Sequence, residues 1–159
     1  MSTSDNLQAA FAGESQANRK YLAFAQKAEK DGLPGVAHLF RAAAEAETVH
    51  AHAHLKVMAG IKTTVENLQA AIEGEGHEFQ HMYPDFLGVA QSEGNQSAVI
   101  SFRNALTVEK IHYDLYSKAL EAVKAGNDLP ISNAYVCSVC GNTVFGALPN
   151  KCSVCSVGG

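Results

Sequence analysis

The stretch FRAAAEAETVHAHAHL, residues 40–55, decides the fold. Val36, Leu39, Ala43, Glu47, His50, His54 and Val57 fall on one stripe at helical spacing, so the segment reads as a helix over roughly 35–59 that ends at Gly60. Glu47 and His50 are three residues apart and project from one helix face. That face should be buried. An ionised carboxylate there costs several kcal/mol unless it is neutralised, paired or bound to metal.

The same device occurs again. EKIH, residues 109–112, places Glu109 and His112 on the stripe of a helix over about 95–125 with Ala98, Phe102, Ala105, Tyr116, Ala119 and Val123. Each motif follows a helix with its own inward glutamate. Glu14 shares a stripe with Leu7, Ala10, Ala17, Tyr21, Phe24 and Ala28 over about 4–31, and Glu75 shares one with Leu68, Ala71, Glu78, Met82 and Val89 over about 64–93. The two ExxH motifs are 62 residues apart and the two preceding glutamates 61 apart, so the chain is one helix hairpin used twice. Counted from the helix ends at about 1.5 Å per residue, these side chains gather within a turn or two of one height. A glutamate from each of two helices and a Glu-x-x-His from each of the others is how a helical bundle holds two metal ions. The fold expected is all-α, a four-helix bundle, and flexible carboxylate and imidazole ligation favours iron or manganese. Pro84 removes a backbone donor and crowds Gln80, which predicts a kink in the third helix. His54 reads as a core-edge histidine, and His38, His52, His77 and His81 lie off the stripes. Tyr21 reads as packing, with a lesser role beside the metals as the alternative.

Composition excludes other classes. The chain has 159 residues, 47% of them hydrophobic, and a formal net charge of −4, which gives no pull toward nucleic acid or anionic lipid. No apolar run reaches the roughly 18 residues of a membrane span, and MSTSDNLQAA lacks the basic and apolar regions of a signal peptide. A cytoplasmic location is therefore expected. All four cysteines lie in AYVCSVCGNTVFGALPNKCSVCSVGG, residues 134–159, and without a secretory signal they read as metal ligands. Cys137-x-x-Cys140 and Cys152-x-x-Cys155 specify a tetrahedral four-sulfur site that fits iron or zinc. Domains are expected over 1–126 and 135–159, joined by a linker over 127–134.

The chain resembles the rubrerythrins over nearly its whole length. The resemblance is carried by AFAGESQANRKY (10–21), residues 40–55, ENLQAAIEGEGHEFQHMYPDF (66–86), VEKIHYDLY (108–116) and the paired CxxC tail. It implies a ferritin-like bundle with a non-haem diiron centre, followed by a rubredoxin-like domain with one iron held by four cysteines. It also implies reduction of hydrogen peroxide to water in oxidative-stress defence, with electrons from rubredoxin or an NAD(P)H-linked reductase. By motif position the implied diiron ligands are Glu14, Glu47, His50, Glu75, Glu78, Glu109 and His112, and the implied thiolate ligands are Cys137, Cys140, Cys152 and Cys155. Glu78 and His50 are the implied pair that exchange as ligands between oxidation states. An iron oxidase or storage protein with a structural zinc ribbon is the alternative, and Glu78 and the tail count against it. Rubredoxin knuckles carry an aromatic, a proline and a glycine where this chain has Asn142, Ser153 and Ser156, and a further stretch ending in a buried phenylalanine. Either a tail lies beyond Gly159 or the module is curtailed and loosely packed.

Connectivity adds one expectation. A ferritin-like bundle runs its second and third helices parallel, which needs a crossover of roughly 30 Å. Gly60 to Thr64 reaches under about 18 Å. A domain-swapped homodimer follows as a hypothesis, each diiron site being built from one hairpin of each chain, and the competing arrangement is an up-down-up-down monomer.

Overall fold

The computed structural model describes residues 2–131 and 133–158. The expected domain ends at Met1 and Gly159 therefore lie outside the described residues. Five helices and one small hairpin follow in order: α1 Thr3–Lys30, α2 Pro34–Val57, α3 Thr64–His77, α4 Tyr83–Ser92, α5 Gln96–Lys124, β1 Ala134–Val136 and β2 Thr143–Phe145. They form two compact units, Met1–Lys62 and Thr63–Gly159.

The first unit is a helix hairpin. Ser2 Oγ accepts from Asp5 N while the Asp5 carboxylate accepts from Ser2 N, a reciprocal cap that starts α1. The helix stops where Gly32 turns left-handed at φ +74° and Leu33 N donates to Ala28 O, and Pro34 opens α2. Small residues fill the seam. Ala25, Ala28, Ala37, Ala44 and Ala51 are buried, which lets the two backbones approach closely. The buried Asn18 amide donates to Ala44 O (2.6 Å) and Thr48 Oγ1 (2.8 Å), fixing the register one turn from Glu14 and beside Glu47. Several stripe residues expected inside are exposed, among them Phe24, Val36, Leu39 (68%) and Val57 (69%). The physical reason is local, since a seam of alanines covers only a narrow part of each helix.

In the second unit α3 and α4 pack along α5. Thr63 and Glu66 form the second reciprocal cap, and Asn95 caps α5 by accepting from Ala98 N (3.1 Å). The kink expected from Pro84 takes a specific form. Glu78–Met82 is a π-helical turn, and Tyr83 N donates to Glu78 O, five residues back. Phe79 meets Tyr113, and Tyr83 and Phe86 meet Phe102, at ring-centre distances of 5.3, 6.3 and 5.7 Å. The β1–β2 pair is antiparallel with Val136 opposite Thr143, so the hairpin sets Thr143 in a fixed strand position just past the first cysteine turn.

Candidate metal centres

The first hairpin brings Glu14, Glu47 and His50 together. One ligand atom from each lies within 4.8 Å of the others, with His50 Nδ1 3.0 Å from Glu47 Oε2. Glu47 is mostly buried, whereas the His50 side chain is 57% exposed.

The second unit repeats the set with Glu75, Glu109 and His112. His112 Nδ1 lies 2.8 Å from Glu109 Oε2 and 3.8 Å from Glu75 Oε1, and its side chain is 26% exposed. Its other ring nitrogen, Nε2, lies 3.1 Å from Thr143 Oγ1. Burial pushes the Glu75 carboxyl up to about 7, helped by its hydrogen bond to Glu109 and by the charges of Glu109 and Glu78. Glu78 falls outside the three-residue cluster. Even so, burial and then the charge of Glu109 raise it too, which puts it within electrostatic reach. Clustered carboxylates that resist ionising together are what a divalent cation relieves, and the oxygen and imidazole donors suit iron or manganese.

The four cysteines also converge. Cys137 Sγ is 3.6 Å from Cys155 Sγ, and Cys140 Sγ is 3.5 Å from Cys152 Sγ. A disulfide would need about 2.05 Å, whereas the edge of a tetrahedron with metal–sulfur bonds of about 2.3 Å is about 3.8 Å. The donor set therefore fits one metal ion. Each knuckle is a tight turn: Gly141 N donates to Cys137 O and Ser156 N to Cys152 O, both at 2.9 Å. Main-chain N–H groups of Cys155 and Val154 hold the Cys152 thiol down to about 6, and those of Cys140 and Val139 lower Cys137. The departures from the rubredoxin pattern have structural consequences. Asn142 is 3% exposed and its amide donates to Cys152 Sγ (3.6 Å) and Ser153 Oγ (3.2 Å). Ser156 sits at φ +61°, in the place where the first knuckle has Gly141 at φ +82°.

Helical spacing and the paired knuckles thus located two triads and the cysteine cluster. His38, His52, His77 and His81 are exposed, as expected, and His54 joins no ligand cluster among the described residues. Tyr21 packs against Phe24 and Phe40 at ring-centre distances of 6.3 and 6.1 Å. The phenol that senses the carboxylates is Tyr83, raised first by burial and then by Glu78, Glu109 and Glu75. A 3.6-residue period hides it, since residues five apart share a face only across a π turn. Thr143 was missed as well, because only tertiary packing brings it to His112.

These features define a helical, carboxylate-rich dimetal protein with an added metal centre of four cysteines. The Rubrerythrin family model matches residues 5–120. Rubrerythrin-2 of Clostridium acetobutylicum is 35% identical over 98% of this chain and 92% of its own length. Nigerythrin of Nitratidesulfovibrio vulgaris is 34% identical over 97% and 82%. The solved mixed-valent nigerythrin structure covers 99% of this chain and 84% of its own at 33% identity, with a TM-score of 0.56. The chain belongs to the rubrerythrin family. It is an oxidoreductase of a family tied to oxidative stress, whose cofactors are a diiron centre and an iron bound by four cysteines. Among the described residues, no helix is long and apolar enough to cross a membrane.

Proposed function

We propose that this protein is a peroxidase that reduces hydrogen peroxide to water in the cytoplasm, over a bundle domain of residues 1–126 and a cysteine domain of 135–159. The observation that carries the reading is Glu78: a carboxyl three residues after Glu75 and within electrostatic reach of the Glu75–Glu109–His112 triad, one more than an iron-oxidising site requires. Glu14, Glu47 and His50 would hold one half of the diiron centre and Glu75, Glu109 and His112 the other, with Glu78 exchanging against His50. Iron, when bound, supplies the two electrons that cleave the O–O bond. The overall balance is one peroxide, two electrons and two protons to two waters. Burial and then the charge of Glu109 disfavour the ionised form of the Glu78 carboxyl. The π turn gives this segment a local alternative geometry, which suits a side chain that has to swing. Cys137, Cys140, Cys152 and Cys155 would hold the iron that receives electrons singly from rubredoxin or an NAD(P)H-linked reductase.

Glu78→Ala separates this reading from iron oxidation. Peroxide turnover should fall at least tenfold while oxygen-dependent oxidation of added Fe(II) changes little; equal losses in both would contradict it.

We also propose a domain-swapped homodimer. The connection between Val57 and Thr64 is six residues, short of the roughly 36 Å length of α2, and the exposed Phe24, Val36, Leu39 and Val57 would find cover on a second copy. Coexpressing a Glu14→Ala/Glu47→Ala chain with a Glu75→Ala/Glu109→Ala chain tests it. Swapping yields one intact and one dead site per mixed dimer, so about half the activity returns. No recovery from purified mixed dimers would refute the swap.

A further inference from the structure

The two histidines of the paired motifs differ in what stands behind the ring. His112 turns Nδ1 toward Glu109 and Glu75, while Nε2 lies 3.1 Å from Thr143 Oγ1. Thr143 Oγ1 donates its own proton to Gly141 O at 3.2 Å. A hydroxyl has one proton. With that proton committed to Gly141, Thr143 accepts from the ring, so Nε2 carries a hydrogen, and a cation at Nδ1 would take the place of the proton that bridges this nitrogen to Glu109 Oε2 at 2.8 Å. Nothing comparable backs His50, whose only hydrogen-bond partner among the described residues is Glu47 and whose side chain is 57% exposed.

The surroundings favour a strong bond at His112. Thr143 is held by its pairing with Val136, the residue before Cys137, and Gly141 directly follows Cys140. A cavity of about 310 Å³ at this junction is lined by His112, Thr143 and the apolar Leu68, Leu115, Ala119 and Phe145. These apolar walls offer the ring N–H no hydrogen-bond acceptor, which leaves Thr143 as its partner on this side. A Cβ on Gly141 would approach Val108 Cγ1 to 3.9 Å, so this turn of the cysteine module lies against the α5 turn that carries Glu109.

We propose that Thr143 is a positioning residue: its hydroxyl fixes His112 as an Nδ1 ligand and joins the ring to the peptide beside Cys140, giving single electrons a route within one chain. The route is Cys140, Gly141, Thr143, His112. With iron bound at both sites, each passage would move one electron from the reduced cysteine site, refilled by the external reductant, to the carboxylate site. No bond is broken and the Nε2 proton stays in place. The inference rests on the peroxidase reading for its electron source, but the His112 geometry can be tested without it.

Thr143→Val keeps the branched strand residue and removes the hydroxyl; Thr143→Ser keeps the hydroxyl. In anaerobic Fe(II)-loaded protein, NMR in water should show one ligand imidazole N–H that exchanges slowly with solvent. The Val variant should lose that slow exchange, and its cysteine site should reoxidise about tenfold more slowly after peroxide, the size typical of losing a ligand's supporting hydrogen bond. The Ser variant should behave as the parent in both. A Val variant with unchanged N–H exchange and unchanged reoxidation overturns the proposal, and so does a folded Ser variant that loses the slow proton when the Val variant fails to fold. A parent that shows the slow proton but no peroxide turnover would sink the peroxidase reading and leave the positioning role standing.

Discussion

The two Glu–Glu–His triads share a motif and differ in support. Glu47 and Glu109 are buried to nearly the same degree, 18% and 17% exposed, and each lies about 3 Å from the histidine three residues on. The histidines are not equivalent. His50 is more than twice as exposed as His112 and has no hydrogen bond behind it among the described residues, whereas His112 is pinned by Thr143. A helix period sets which residues meet a metal, and what packs behind the ring decides whether a ligand can leave. The asymmetry fits the proposal that His50 is the ligand that exchanges and His112 the one that stays.

The largest effect should come from the histidines themselves. His112→Ala should weaken iron binding at the carboxylate site by more than about 100-fold, against about tenfold for His50→Ala, on the scale of losses seen around metal ligands. Anaerobic Fe(II) titration measures both. Equal losses would break the comparison.

Acidity should sharpen it. Because Glu75 is raised to about 7 in the folded metal-free protein, from an ordinary 4.5, the folded state holds a proton that the unfolded state has released between those values. Metal-free protein should therefore be most stable below about pH 4.5 with respect to this group, and lose that stability as pH rises through 7. Melting curves across that range, with Glu75→Gln as the control that flattens the slope, check the sign. Fe(II) loading should remove the slope, since the cation takes the proton's place.

Much of this was legible in the sequence and some of it could not be. Glu14, Glu47, His50, Glu75, Glu109 and His112 were readable because helical spacing of polar groups on an apolar stripe is a local signal, and the duplication supplied its own control. The kink at Pro84 was readable as a break, but not as a π turn, since the turn depends on how Phe79 and Tyr83 pack against α5. Tyr83 and Thr143 were hidden for that reason. Exposed Leu39 and Val57 mark a further limit, because a stripe shows that a face wants cover and is silent on what provides it.

Smaller effects distinguish the cysteine knuckles. The Asn142 amide bond to Cys152 Sγ should favour the more negative, reduced state of the iron site. Asn142→Leu should lower its potential by up to about 60 mV, the equivalent of one charge-assisted hydrogen bond of about 1.5 kcal/mol; spectroelectrochemistry reads the shift, and an unchanged or raised potential would remove Asn142 from the tuning of the site. Smallest of all, Ser156→Gly should relieve the left-handed strain at φ +61° and stabilise the second knuckle by about 1 kcal/mol, seen as slower loss of iron to a chelator. The matching Gly141→Ser should do the reverse in the first knuckle.

One measurement bears most directly on the claim that the two triads act as a single electron-consuming site fed by the cysteines. Fully reduced, iron-loaded protein is mixed with one equivalent of hydrogen peroxide in a stopped-flow spectrometer while the red absorbance of the ferric cysteine site is followed. The carboxylate site should oxidise first, the red colour should then rise in a second phase, and Glu109→Ala should abolish both. A cysteine site that stays colourless through turnover, or one that colours at the same rate in Glu109→Ala, would contradict that claim.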